Sequence, residues 1–174
     1  MINTGKTVAI LYHTRQSKFP MKPKITYRNT DIAYKSDAKF LGTHITKNLK
    51  WTTHIRILRQ QLSKVCYIIK SVQRIMGLGM IRSFNHSKFE SLVRYGIIFW
   101  GADNENIPIF KLQKRVIWSM CGAGTGTFCR QLFQYCKILT VTSLYVFEAL
   151  CFLKKYKSSV HKINRYMIII QGQI

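Results

Sequence analysis

Six side chains in this chain carry a carboxylate: Asp31, Asp37, Glu90, Asp103, Glu105 and Glu148. Phosphoryl transfer through two metal ions needs carboxylates gathered around those ions. Asp31 and Asp37 are the closest pair that a sheet would bring together, and their spacing is not that of a ligand pair. No Asp-Asp dipeptide occurs anywhere. A complete nuclease or polymerase centre is therefore not expected within these residues. The five cysteines, Cys66, Cys121, Cys129, Cys136 and Cys151, form no C-x-x-C pair, which argues against a zinc site. Four of them fall inside apolar helical patterns and read as small core residues in a reducing compartment. The glycine-rich CGAGTG over residues 121–126 lacks the lysine of a phosphate-binding loop and follows no strand, so it reads as a flexible turn. No Ser-His-Asp or Cys-His arrangement can be assembled from the spacing.

The cations are the stronger signal. Lys and Arg number 28 against 6 acids, a net charge of +22. A folded chain this basic calls for an anionic partner, nucleic acid before membrane. Arg56, Arg59, Lys64, Lys70 and Arg74 recur along one helical pattern that has no acid from residue 51 to residue 76. Cations on such a face contact phosphates without reading sequence. Lys111, Lys114 and Arg115 repeat the arrangement on a later helix. The plainer alternative for both groups is a solvated helix face.

The elements that must hold these cations are legible from periodicity. Apolar residues make up 47% of the 174 residues, enough for a real core. Residues 8–12, VAILY, read as a short buried strand. Residues 17–24, with Pro20 and Pro23, read as a loop. Residues 24–27 and 30–34 read as two strands around a turn at Arg28-Asn29, and residues 38–46 as the next strand. The first 46 residues thus form a small β unit. From Trp51 the period becomes 3.6, with Ile55, Leu58, Leu62, Val65, Cys66, Ile69, Val72 and Met76 on one stripe. Gly77 and Gly79 end that helix. Further helices are expected over 81–99, 105–121, 128–135 and 142–157. The last of these is apolar on nearly every side, which predicts a central place in a bundle. The fold class expected is α+β, with β over 1–46 and a helical bundle over 47–158; residues 159–174 carry no assignment. No secretory signal opens the chain. The most apolar window, 138–153, is too short to span a bilayer and contains Glu148, so no membrane partner is expected.

Several motifs in register carry a resemblance. They are N-x-x-K-T-x-x-x-L-Y-H-T-R from Asn3 to Arg15, K-F-L-G from Lys39 to Gly42, and W-x-x-H-I from Trp51 to Ile55. YGIIFWG over 95–101, LQKRVIWSMCGA over 112–123, and C-R-x-L-F-x-x-x-x-I-L-T-x-x-S-L-Y over 129–145 follow. Their order and spacing over nearly the whole chain resemble the late part of reverse transcriptases of non-LTR retrotransposons, jockey-like and LINE-type.

The resemblance implies the end of a palm, a primer grip and a thumb-like helical region. It places Lys6 at a family lysine near the phosphates of the incoming nucleotide, and implies a proton-transfer role only in an intact enzyme. It places Phe40, Leu41 and Gly42 in the hairpin that grips the primer end; the alternative is hairpin core for Phe40 and Leu41, with Gly42 at a bulge. Trp51 either stacks on a base or seals the sheet–helix junction, and His54 either meets phosphate or sits in the cap region. Tyr95, Phe99 and Trp100 pack the bundle. The implied partner is an RNA–DNA or RNA template–primer duplex inside the cell, nuclear or cytoplasmic. The family's paired catalytic aspartates, its fingers and its endonuclease domain have no counterpart here. The chain is thus expected to be a segment of a larger polymerase, inactive alone, with Mg²⁺ belonging only to the intact enzyme. The rival expectations are a stand-alone basic helical module for RNA or an acidic partner, and a product without function.

Overall fold

The computed structural model describes residues 7–13 and 23–156. Lys6, most of the proline-containing loop and residues 159–174 lie outside the described residues. The fold is α+β: two small antiparallel hairpins, then helices. It divides into two compact units, residues 1–61 and residues 62–174. The change of sequence period near Lys47 falls earlier than that division, because the first turns of the first long helix group with the hairpins.

In the first unit, β1 (Thr26–Tyr27) pairs with β2 (Thr30–Asp31), Tyr27 opposite Thr30. The two turn residues, Arg28 and Asn29, have φ of 49° and 60°. Positive φ at both central positions gives a turn whose twist matches that of paired strands. The expected hairpin at this dipeptide is therefore present. The single strand expected over 38–46 is instead a second hairpin. β3 (Asp37–Phe40) pairs with β4 (Thr43–Thr46), and Leu41 and Gly42 form the turn at φ of 45° and 81°. Gly42 supplies the left-handed conformation at little steric cost, so it marks a turn and not a bulge. Residues 8–12 do not form a strand; Ala9 alone makes a parallel bridge to Tyr34. After β4 the Thr46 hydroxyl donates to the carbonyl of Lys50 at 2.9 Å and accepts from its N–H at 3.0 Å. This pair of hydrogen bonds ties the end of the hairpin to the start of the helix.

Helix α1 is Thr52–Val72; its residues 52–61 belong to the first unit and its residues 62–72 to the second. Ile55, Leu58, Leu62, Val65 and Ile69 of the expected stripe are buried. Each such side chain contributes about 1.5–3 kcal/mol by leaving water. The helix stops at Val72, and Arg74 lies in the turn that follows.

In the second unit, the expected continuous helix over 81–99 is broken. α2 (Leu78–Phe84) passes through a π-helical turn (Asn85–Glu90) into α3 (Ser91–Arg94). The chain breaks at Gly96, φ 66°, before α4 (Ile97–Trp100). A 3₁₀ turn (Asn104–Asn106) then leads into α5 (Ile107–Cys121). Its end is closed by Gly122 at φ 62°, with Ala123 N–H on the Trp118 carbonyl at 2.9 Å, the overlapping bond pattern that satisfies a helix C-terminus. α6 (Cys129–Cys136) and α7 (Val141–Lys155) complete the unit.

The middle of this unit is α5, which packs against α2, α6 and α7. It buries Ile109, Leu112, Gln113, Val116, Ile117 and Met120. The central place expected for α7 is overturned: only Val141 and Leu144 are buried, while Val146, Phe147, Leu150, Phe152 and Leu153 face outward. Apolar character on all sides states what a helix tolerates, and neighbours are still needed to cover each side. Of the three aromatics expected to pack the bundle, Trp100 is fully buried, and Tyr95 and Phe99 are exposed. Buried Gln113 donates to the Leu139 carbonyl at 2.8 Å and accepts from Val141 N–H at 3.0 Å. It thereby ties the α6–α7 loop to the interior of α5. Among the described residues no single helix is long and apolar enough to cross a membrane.

Candidate nucleic-acid interface

Burial of the α1 stripe turns the opposite half of the helix outward, and Arg56, Arg59, Lys64 and Lys70 are all exposed there. Arg74, beyond the helix end, is exposed too. Lys70 stands in the last turn, where a cation also offsets the partial negative charge of the helix end.

Within the second unit, two of the expected groups meet. Tyr67, Lys70 and Gln73 from the α1 side and Arg115, Trp118 and Ser119 of α5 line one groove of about 550 Å³, closed at one end by the turn from Gly122. No carboxylate lines it. Tyr67 is 74% exposed. Trp118 is half-buried, and its indole N–H donates to the Thr127 carbonyl at 3.0 Å, which fixes the ring. The Cys66 thiol sits 3.8 Å from the Leu112 carbonyl and fastens α1 to α5 beneath the groove. Burial pushes that thiol up to about 11, although the nearby Arg115 guanidinium pulls the other way. A thiol so placed is a packing group and not a nucleophile at neutral pH. The groove thus offers two cations for phosphates and two aromatic rings beside them, a combination that suits a sugar–phosphate chain with accessible bases.

The other expected contacts are placed differently. Lys111 is exposed on α5 outside this groove. Lys114 lies 4.8 Å over the Phe110 ring and lines a separate groove. Phe40, Leu41 and Gly42 form the tip of the β3–β4 hairpin, with Phe40 and Leu41 exposed; the hairpin-core reading of these two side chains is therefore corrected. His54 is only 7% exposed and meets Trp51 edge-on at 6.3 Å between ring centres. Burial, then the charge of His44, lowers its pKa. A buried, neutral imidazole is poorly suited to hold a phosphate, so His54 belongs with the packing of the junction.

The carboxylates do not converge. Asp31 pairs with Lys24 at 3.2 Å. Asp103 accepts from the Glu105 N–H. Glu90, buried on the π-helical turn, holds His86 and also Arg94 at 2.8 Å, and Arg94 reaches Glu148 of α7 at 2.6 Å. Among the described residues no group of three or more His, Cys, Asp or Glu stands together as a metal site. Among the described residues the dispersed acids do not fit the Mg²⁺ site of a polymerase.

Sequence reasoning missed Tyr67 and Trp118. The available signal was their spacing: each lies three residues from its cation, Tyr67 before Lys70 and Trp118 after Arg115. That spacing puts ring and charge on one helix face. No family model, curated protein or solved structure matches the chain.

Proposed function

We propose that this chain is the primer-grip and thumb-like portion of an RNA-directed DNA polymerase from a non-LTR retrotransposon. Its helices hold the RNA–DNA template–primer duplex, in the nucleus or cytoplasm. The motifs in register along the sequence support the family. The observation that carries the binding role is the outward row of cations on α1, joined by Arg115 at the groove and uninterrupted by any acid from residue 51 to 76. The row acts as an electrostatic clamp: each phosphate neutralised releases condensed counterions, so binding is strong at low salt and indifferent to sequence. In this reading the catalytic aspartates, and the Mg²⁺ they hold, come from polymerase segments outside these residues.

A stand-alone basic module is the second reading. It is favoured by the second unit's own buried core around α5. The test is binding of the purified chain to a labelled RNA–DNA hybrid across a salt series. The clamp requires submicromolar binding at low salt and a steep negative slope. Arg59→Ala/Lys64→Ala is expected to weaken binding equally for unrelated sequences and to reduce the slope by about two. An unchanged affinity in this variant removes the stripe from the mechanism.

A further inference from the structure

A second groove opens on the second unit between α5, α6 and the start of α7, with a volume of about 740 Å³. Its floor is carbon: Phe110 and Phe133, stacked with ring centres 6.2 Å apart, and Ile138. Phe128 stands at its edge, 87% exposed. Lys114, Arg130 and Lys137 ring this floor, and no carboxylate lines the groove. Lys137 holds this place at φ 53°, the left-handed position that closes α6 and that glycine or asparagine usually fills. A lysine is strained there, and Lys137 lines the groove.

We infer that this groove docks an acidic amphipathic helix of a partner protein. Such a helix would lay apolar side chains on Phe110, Phe128 and Leu139, above the buried Phe133 and Ile138, and set Asp or Glu against Lys114, Arg130 and Lys137. The chemistry of the lining selects this occupant. A base can stack on a phenylalanine ring but gains little from the aliphatic Ile138 and Leu139 in the same lining, whereas a helix with one apolar and one acidic face uses rings, aliphatic carbon and cations together. Residues 1–6, 14–22 and 157–174 contain no Asp or Glu, so none of these stretches is the acidic occupant. Two of the chain's six acids, Glu90 and Glu148, are already held by Arg94. The inference is independent of the template–primer reading, because the two grooves share no residue.

The test uses the full chain and a labelled synthetic peptide of roughly 18 residues, with leucine and phenylalanine on one helical face and glutamate on the other. Its control is a scrambled peptide of identical composition. The patterned peptide is expected to bind at least about tenfold more tightly than the scrambled one. Arg130→Glu/Lys137→Glu, both exposed positions, is expected to lose at least about tenfold in peptide affinity while keeping its affinity for an RNA–DNA hybrid. Phe128→Ala, also on the surface, is expected to weaken the peptide alone. Equal binding of the two peptides overturns the inference. So does a charge-reversed variant that loses the hybrid and keeps the peptide, which would assign the groove to nucleic acid.

Discussion

Arg94 and Lys70 are both cations on helices, and they meet opposite surroundings. Arg94 points at Glu90 and Glu148 and lies 5.6 Å from the Phe147 ring. It joins α3, the π-helical turn and α7, and its positive charge is consumed inside the unit. Burial alone would lower its pKa; the bonds and charges of Glu90 and Glu148 outweigh that and raise it. Lys70 stands with Arg115 at a groove that no acid lines. The first kind of site holds the helices together and the second faces solvent. With so few carboxylates in the chain, placing two of them on Arg94 leaves the α1 face unneutralised.

That contrast can be broken most forcefully at Glu90. Glu90→Ala removes the buried partner of both Arg94 and His86. It is expected to cost about 2–3 kcal/mol in urea unfolding, below the full value for a buried pair because Arg94 is partly exposed. Hybrid affinity below the transition should not change. Lys70→Glu/Arg115→Glu should do the reverse. Stability is expected to move by less than about 0.5 kcal/mol, and hybrid affinity in a salt titration to fall at least about tenfold. A double variant that unfolds and still binds would dissolve the distinction.

Lys137→Gly sharpens the case of a cation kept at a strained backbone position. It is expected to raise stability by about 0.5–1 kcal/mol in thermal melts and to weaken the acidic peptide. The smallest effect concerns His54. Its folded-state pKa lies below the ordinary imidazole value of 6.5, so the unfolded chain binds more protons. Stability from His54 is therefore complete above that value and falls as the pH drops through it toward the folded pKa. Urea midpoints at pH 7.5 and 5.0 should differ less for His54→Gln than for the unaltered chain.

The sequence made some of this visible and hid the rest for identifiable reasons. The Arg28-Asn29 turn was readable because both residues sit between short β-prone runs. The Leu41-Gly42 turn was missed because Gly42 falls in step with Ala38 and Phe40, and the adjacent apolar pair Phe40-Leu41 carries the β-prone run on toward Ile45. The α1 stripe and its cations follow directly from the 3.6 period. The π-helical turn leaves no period of its own, so residues 81–99 look like one helix until Gly96 interrupts them. Outward Phe147 and Leu150 were unreadable because hydropathy does not count neighbours. Convergence of Lys70 and Arg115 on one groove depends on how α1 packs on α5, which no local pattern encodes.

Gln113 carries one last consequence, for the order in which the helical unit breathes. The first amide of a helix ordinarily faces water and exchanges its hydrogen quickly. Val141 N–H is instead held by a side chain rooted in the centre of the unit, and that same side chain holds the Leu139 carbonyl. The α6–α7 loop therefore cannot fray by itself. Its opening is coupled to the loosening of α5, so the amide at the start of α7 belongs to the slowest-exchanging set of the unit and not to its surface.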